Sequence, residues 1–491
     1  MKIWITTVGT SPYAVFNTLW FAIVRDSYLP DKIYFLWNDK VKHNLEKLEK
    51  WVNILSNEYN FKVEINKDYK VSEENIKEFS NALKKIIKNE KLKNNEIAID
   101  ITPGRKFMSA FSLFAGLEGV EGKYKCDKVY YLHLKDLKYM NYPLFLIPFS
   151  IQELYEFNSW LKNEKIDKNP LKIDGKDNKK VNRENLMAIL NNMYLFDKHT
   201  TKIKVNGQEF AKITLLNDNK AKVEVNKNIK LDDELYGNFI NNILNSINEV
   251  KYTYDFETWL NEEEFFNSLL NKFKEKETYY ITFDTNALIN QIPRKLIDFL
   301  ENNKEKILPN FVLSESVSNE LSTEFYKIKN PKDKDFENQP SPKDRVFKLG
   351  LSQVEYLKNK NCIIIPYKGK GDNEIKESFL EFLKDKNGKL LVITSDKEFF
   401  SNLDALTNII PIYVSFDKPK DFLTWENVRD FIYTTAVVFG KINLKYVGEI
   451  LSVWRGKNPN EWKKELLLIR NLDKNSIKAI NILENIQKEG R

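Results

Sequence analysis

The sequence predicts an α/β protein with two separate parallel-sheet domains, a small α+β connector between them and a helical C-terminal tail. Three observations lead there. Short apolar runs alternate with amphipathic stretches over residues 1–150 and again from Tyr279 to about Ser415, and that alternation places helices on the faces of parallel sheets. The 491 residues exceed what one hydrophobic core holds, so roughly two to four domains are expected. With 42% hydrophobic and 30% charged residues the composition is globular, which excludes general disorder and an integral membrane protein.

In chain order, Lys2–Val8 is the first predicted strand. It opens an uncharged stretch, Ile3 to Val24, that is long enough to suggest a membrane span or leader. Thr6, Thr7, Gly9, Thr10, Ser11, Pro12, Asn17 and Thr18 interrupt it, so strand, turn and helix are expected, with no membrane anchor. Strands follow at Lys32–Trp37, Phe61–Ile65, Glu96–Ile101 and Lys128–Leu134, with helices beginning near Tyr13, Val41, Ser72 and Arg105.

Residues 151–277 change character. Asn163–Lys180, rich in Lys, Asp and Asn, is expected to be a linker, and Arg183–Tyr194 a helix. Lys202–Val205, Gln208–Leu215 and Ala221–Val225 are predicted strands, the first two joined by an Asn206-Gly207 hairpin turn. Helices over Asp233–Asn248 and Glu257–Lys276 complete a connector compatible with a winged-helix module or a packing spacer.

In residues 278–416 the predicted strands are Tyr279–Asp284, Phe311–Leu313, Cys362–Pro366, Lys389–Ser395 and Ile409–Val414. Lys327–Asp344, dense in Lys, Asp and Pro, is expected to be a flexible loop. Residues 417–491 are expected to form a basic helical extension, and no internal repeat is evident.

Two strand-to-helix turns carry the first chemistry. Thr6-Thr7-Val8-Gly9-Thr10-Ser11-Pro12 and Asp100-Ile101-Thr102-Pro103-Gly104-Arg105-Lys106-Phe107-Met108 each combine hydroxyls, glycine and a following helix. Glycine lets backbone N–H groups approach an anion, a helix start offers unpaired donors, and Arg105 and Lys106 add charge, so a phosphate ester is the expected ligand. Neither turn has the spacing of a P-loop or a dinucleotide fingerprint. Together the turns resemble the CARF domain, the Rossmann-like sensor of type III CRISPR systems. The resemblance covers about residues 1–150 and implies a homodimer that binds a cyclic oligoadenylate, tetra-adenylate favoured, through Gly9, Thr10, Ser11, Thr102, Gly104, Arg105 and Lys106. Pro103 departs from it, standing where many members carry a second glycine and removing a donor N–H.

Four acids in residues 278–416 carry the second. Asp284 and Asp396 end predicted strands, Asp372 opens a helix, and Glu320 lies on one, so all converge on the C-terminal rim of a parallel sheet. Two carboxylates about 4 Å apart repel by roughly 4 kcal/mol at an effective dielectric near 20, so a cluster must protonate or bind a cation. Oxygen ligands without His or Cys favour Mg²⁺ or Mn²⁺, which activates water against a phosphodiester. As helix residues, Asp372, Asp396 and Glu320 each have an ordinary capping or solvated role as well. The order also resembles the PIN nuclease domain, over about Tyr279–Ser415. That resemblance implies a metal-dependent endoribonuclease with Asp284, Glu320, Asp372 and Asp396 as metal ligands and catalytic residues, and Asn286 and Thr394 as accessory positions. The interval from Glu320 to Asp372 is stretched, which leaves Glu374 and Glu398 as alternative acids.

Joined, the resemblances imply an effector of CRISPR antiviral defence that cyclic oligoadenylate switches on against RNA, through movement of the connector or of the Lys327–Asp344 loop. Degradation of the ligand by the CARF-like domain is an additional activity left open. A ligand-controlled transcription regulator binding DNA through the middle segment, and an adaptor with incidental acids, are the alternatives. Two cysteines and three histidines exclude a zinc cluster or disulfide framework and fit a reducing cytoplasm. The balance of 77 basic against 70 acidic residues, +7, selects no partner.

Overall fold

The first sheet is built from β1 (Lys2–Thr7), β2 (Lys32–Trp37), β3 (Glu64–Lys70), β4 (Glu96–Asp100), β5 (Lys128–Leu134) and β6 (Gln152–Glu156). Their order is β3-β2-β1-β4-β5-β6, parallel except for β6. The computed structural model describes residues 1–164, 168–226, 237–302, 309–322, 326–367 and 369–489. β1, β2 and β4 are continuous apolar runs because helices cover both their faces. β3 sits at the edge and is largely exposed, so it needs no apolar run and begins three residues later than Phe61. β6 escaped the pattern because it is polar: the Glu156 carboxylate, buried, accepts from the N–H groups of Val129, Asn158 and Ser159. The chain winds outward from β1 to β3 and then crosses back to β4, so the ends of β1 and β4 flank a topological switch point.

The middle segment supplies β7 (Lys176–Val181), β8 (Thr200–Val205), β9 (Gln208–Leu215) and β10 (Ala221–Val225). Asn206 and Gly207 both take positive φ, as the hairpin turn between β8 and β9 requires. The expected linker therefore ends in a strand; its residues 165–167 lie outside the described residues. The expected Asp233–Asn248 helix is observed as Gly237–Asn245, its first residues lying outside the described ones. The Leu186–Leu195 helix is buried at every position but Tyr194 and has no exposed face to lay into a DNA groove.

The third group is β11 (Asn248–Thr253), β12 (Trp259–Asn261), β13 (Tyr279–Phe283), β14 (Asn310–Ser314), β15 (Ile363–Ile365), β16 (Lys389–Thr394) and β17 (Ile409–Pro419). They form a sheet of order β12-β11-β17-β16-β13-β14-β15, parallel from β17 to β15. β11 and β12 run antiparallel at one edge, so connector residues extend this sheet.

The tail differs from its expectation. It is helical over Trp425–Phe439 and Lys474–Glu489, but between them lie β18 (Lys441–Leu444), β19 (Gly448–Leu451) and β20 (Leu467–Asp473). These return to the middle segment and complete an antiparallel sheet of order β10-β9-β8-β18-β19-β20-β7. Strands of four residues are too short for periodicity to separate them from helix.

A buried ion cluster locks this assembly. Arg183 pairs with Asp430 at 2.8 Å and Glu465 at 3.1 Å, Arg294 with Glu184 at 2.7 Å and Glu465 at 2.6 Å, and Arg429 with Asp430 at 2.7 Å and with Glu184. The two guanidinium groups beside Asp430 hold its carboxyl well below the usual range despite its burial. Gln291, buried, accepts from Arg183 and donates to Thr434.

Residues 326–341 are not the free loop that composition predicts. Lys327 bridges Pro340, and Asp333, Asp335 and Glu337 pair with Lys441, Arg470 and Arg455 of the tail, at 2.5, 2.7 and 3.6 Å. The charges that make the segment look solvated are the ones that dock it. Phe336 closes over Gly440, whose φ is +80° and where a Cβ would stand 2.4 Å from the ring. Gly440→Ala is expected to cost about 1–3 kcal/mol in denaturant unfolding and to raise protease cleavage between residues 327 and 341. Unchanged cleavage there would mean that the segment is free.

Candidate functional site

At the switch point of the first sheet the two small-residue turns touch. A Cβ on Gly9 would lie 3.4 Å from the Gly104 nitrogen, and one on Gly104, at φ +102°, would lie 3.3 Å from Thr7 Cγ2. Side chains would hold the turns apart; their absence lets both backbones line one cavity of about 350 Å³. Gly9, Thr10, Ser11, Thr102, Gly104 and Arg105 line it, whereas Lys106 lies outside that lining, exposed in the first turn of the Lys106–Leu117 helix.

Buried polar groups fix the turns. Asp100 accepts from the Thr102 N–H at 2.9 Å and from the Thr6 hydroxyl at 3.0 Å, tying the end of β4 to β1. Burial pushes its carboxyl up to about 7 against the pull of those donors. The Thr102 hydroxyl accepts from Leu132 N–H at 2.8 Å. Asn44 donates to the carbonyls of Gly9 and Thr10, at 3.0 Å each. The Ser11 hydroxyl oxygen is buried without a partner among the described residues, at the start of the Pro12–Asp26 helix.

At the mouth, Glu73 pairs with Arg105 at 3.2 Å and with Lys40. The Lys40 ammonium, with Arg105 adding to it, holds the Glu73 carboxyl below its ordinary value. Asn44, Lys40 and Glu73 carry no sequence signal, because they lie on other elements; Asp100 opens the second of the two turn motifs.

On the third sheet Asp284, Asp372 and Asp396 lie within electrostatic reach of one another. Asp284 follows β13, is 5% exposed, and caps the Thr285–Ile289 helix by accepting from Ala287 N–H at 2.6 Å. The Thr394 hydroxyl, at the end of β16, donates to its other oxygen. Burial pushes the Asp284 carboxyl up to about 7, with the negative charges of Asp396 and Asp372 adding to the rise. Asp372, in the first turn of the Asp372–Lys384 helix, is raised by burial and then by Asp396 and Glu398. Asp396 caps the Lys397–Asp404 helix through the N–H groups of Glu398 and Phe399, at 2.8 and 2.9 Å.

Glu320 is engaged differently, accepting from the Thr285 hydroxyl at 2.7 Å. Of the alternative acids, Glu398 acts on Asp372, while Glu374 folds against Gly369, where a Cβ would meet its Cγ at 2.5 Å. Asn286 is exposed beside Asp284. Among the described residues no group of three or more His, Cys, Asp or Glu side chains is gathered tightly enough to hold a metal ion. Burial and then neighbouring negative charge raise the Asp284 and Asp372 carboxyls, and oxygen donors so arranged would fit a hydrated Mg²⁺ or Mn²⁺ held by one or two carboxylates, Asp284 and Asp396, better than a cage of four.

Fold and sites together define a mixed α/β protein with an anion-suited cavity at one switch point and a carboxylate cluster on the rim of another sheet. No protein-family model matches the chain, and no curated protein does. Among solved structures, Csm6 of Enterococcus italicus bound to cyclic hexa-2'-fluoro-hexa-dAMP matches at 18% identity and a TM-score of 0.22, over 28% of this chain. The match spans about a third, 34%, of that structure's own length. Protein VC1899 of Vibrio cholerae matches at 11% identity, over 84% of this chain and 94% of its own, with a TM-score of 0.27. A type III CRISPR defence DNA nuclease activated by cyclic oligoadenylate matches at 8% identity over 95% of this chain and 70% of its own, with a TM-score of 0.23. At these scores the superpositions do not establish a common fold.

Asp100 yields a pH prediction. Its carboxyl is raised from 3.8 to about 7 by folding, so the folded chain holds that proton more tightly than the unfolded one. Its stabilising contribution is then full below about pH 4 and is lost as pH rises through about 7. Asp100→Asn is expected to flatten the fall of Tm across this window; an unchanged Tm profile would place the Asp100 proton elsewhere.

Proposed function

We propose that the protein is a cyclic-oligoadenylate-activated, divalent-metal-dependent endoribonuclease of type III CRISPR antiviral defence, cytoplasmic and homodimeric through its N-terminal domain. The observation that carries the nuclease half is Asp284, held between Thr394 and Ala287 with its carboxyl raised by burial and then by the neighbouring acids Asp396 and Asp372. An ion bound there would act as a Lewis acid and make hydroxide available near neutral pH. Asp284 and Asp396 would hold it, Thr394 orients Asp284, and Asp372 with Glu398 adds negative field. Glu320 anchors the Thr285 hydroxyl and so steadies the residue next to Asp284.

For the sensor half, support comes from the meeting of Gly9 and Gly104 and from the basic pair at the mouth. The Glu73 carboxylate occupies Arg105 and Lys40 as a phosphate oxygen would, so a cyclic oligoadenylate, tetra-adenylate foremost, exchanges with Glu73 on binding. No helix of the described residues is long and apolar enough to cross a membrane.

A contiguous set of contacts joins the sites. The Pro12–Asp26 helix starts at Ser11, and its Asn17 donates to the Tyr142 carbonyl and accepts from Leu144 N–H, both at 2.9 Å. Nearby, the Tyr139 hydroxyl donates to Glu426, on the Trp425–Phe439 helix that also bears Arg429 and Asp430. The buried ion cluster then reaches Gln291, two residues past the helix that Asp284 caps. A ligand that favours one arrangement of this set shifts the population of both sites.

Two substitutions separate the halves. Asp284→Asn is expected to lower metal-dependent RNA cleavage at least about a hundredfold with cyclic tetra-adenylate binding unchanged. Arg105→Ala is expected to weaken that binding about tenfold or more while leaving the basal, unliganded cleavage rate intact. Cleavage retained by Asp284→Asn, or ligand affinity unmoved by Arg105→Ala, would remove the corresponding half.

A further inference from the structure

A row of residues runs level across the third sheet from the carboxylates to an aromatic cluster. Asp284 follows Phe283, which pairs with Ile393, so Asp284 is level with Thr394; Thr394 pairs with Tyr413, Tyr413 with Thr253, and Thr253 with Trp259. Paired residues on neighbouring strands project to the same face, and strands lie about 4.8 Å apart. Tyr413 is therefore about 10 Å from Asp284 on the face where Thr394 meets that carboxylate.

Three rings gather there. Phe256 lies 5.1 Å from Tyr413 and 6.3 Å from Trp259, and Trp259 lies 6.2 Å from Tyr413. Buried Phe400 supports them from below, 4.7 Å from Phe256, but the cluster is not itself core: Trp259 is 40% exposed and Phe256 and Tyr413 are part-exposed. Lys397, adjacent to Asp396, is exposed, sits 5.3 Å over the Phe256 ring and has no carboxylate partner among the described residues. A part-exposed aromatic cluster led by Trp259, beside a lysine with no carboxylate partner and next to the proposed phosphodiester-cleaving site, matches the chemistry of a single-stranded nucleic acid, whose bases stack on aromatics while its backbone meets lysine. A duplex hides those base faces.

We infer that Trp259, Tyr413 and Phe256, with Lys397, form a base-stacking subsite that holds single-stranded RNA next to the Asp284–Asp396 rim. The inference rests on the nuclease function proposed above and adds the part of the substrate that the carboxylates do not touch. These are substrate-binding residues, so their loss weakens affinity rather than the chemical step.

The test uses the full wild-type chain in EDTA, where binding is read without cleavage, with a labelled single-stranded RNA and its duplex followed by fluorescence anisotropy. Trp259→Ala is expected to weaken single-strand binding about tenfold, with Trp259→Phe keeping most of the affinity and duplex binding little changed. Lys397→Ala is expected to reduce the salt dependence of binding. In cleavage assays with Mn²⁺, Trp259→Ala is expected to raise KM about tenfold with kcat held. Trp259 is at the surface, so a Tm close to wild type accompanies these effects; Tyr413→Ala is the second, more buried probe. Single-strand affinity and KM both unmoved by Trp259→Ala overturn the subsite, even where the chain cleaves RNA. Binding that depends on Trp259 in a chain that never cleaves sustains the subsite and sinks the nuclease instead.

Discussion

The structure depends on one buried cluster of charges. Arg183 comes from the middle segment, Arg294 from the third sheet's helices, and Arg429, Asp430 and Glu465 from the tail, yet their side chains meet out of water. Removing one member of such a cluster leaves an unpaired buried charge and costs about 3–5 kcal/mol, far more than a surface pair is worth. The cluster therefore fixes register among three segments distant in sequence. It explains why the tail turns back: only by returning can it bring Asp430 and Glu465 to Arg183 and Arg294, and β18–β20 to the open edge of β8.

The two candidate sites share a construction. Each has an aspartate at the C-terminal end of a parallel strand, buried and raised to about 7, with a threonine hydroxyl from a neighbouring strand on one oxygen and a backbone N–H on the other. In the first sheet Asp100 spends both oxygens on holding the turns together beside the cavity. In the third, Asp284 makes the same two hydrogen bonds but has other acids in its field.

Much of both sites was legible because the signals are local. Gly9 and Gly104 stand at strand ends that any switch-point topology brings together, and Asp284 ends an apolar strand where a charge has no packing role. What was illegible depends on long-range pairing. Asn44, Lys40 and Glu73 act from elements thirty or more residues from the turns they serve, and Glu320 meets Thr285 rather than joining a cage. Residues 326–341 look solvated by composition for the same reason: the partners of Asp333 and Asp335 lie more than a hundred residues downstream. Trp259 belongs to a three-residue strand that no periodicity marks.

The proposed function turns on the coupling of the cavity on one sheet to acids on another. Its most direct measurement is the rate at which the wild-type chain cleaves single-stranded RNA in Mn²⁺, with and without cyclic tetra-adenylate. Cleavage is expected to require the metal and to rise at least about tenfold with the cyclic ligand, the coupling of about 1.4 kcal/mol that allosteric sites commonly show. Equal rates with and without any cyclic tri-, tetra- or hexa-adenylate would contradict it.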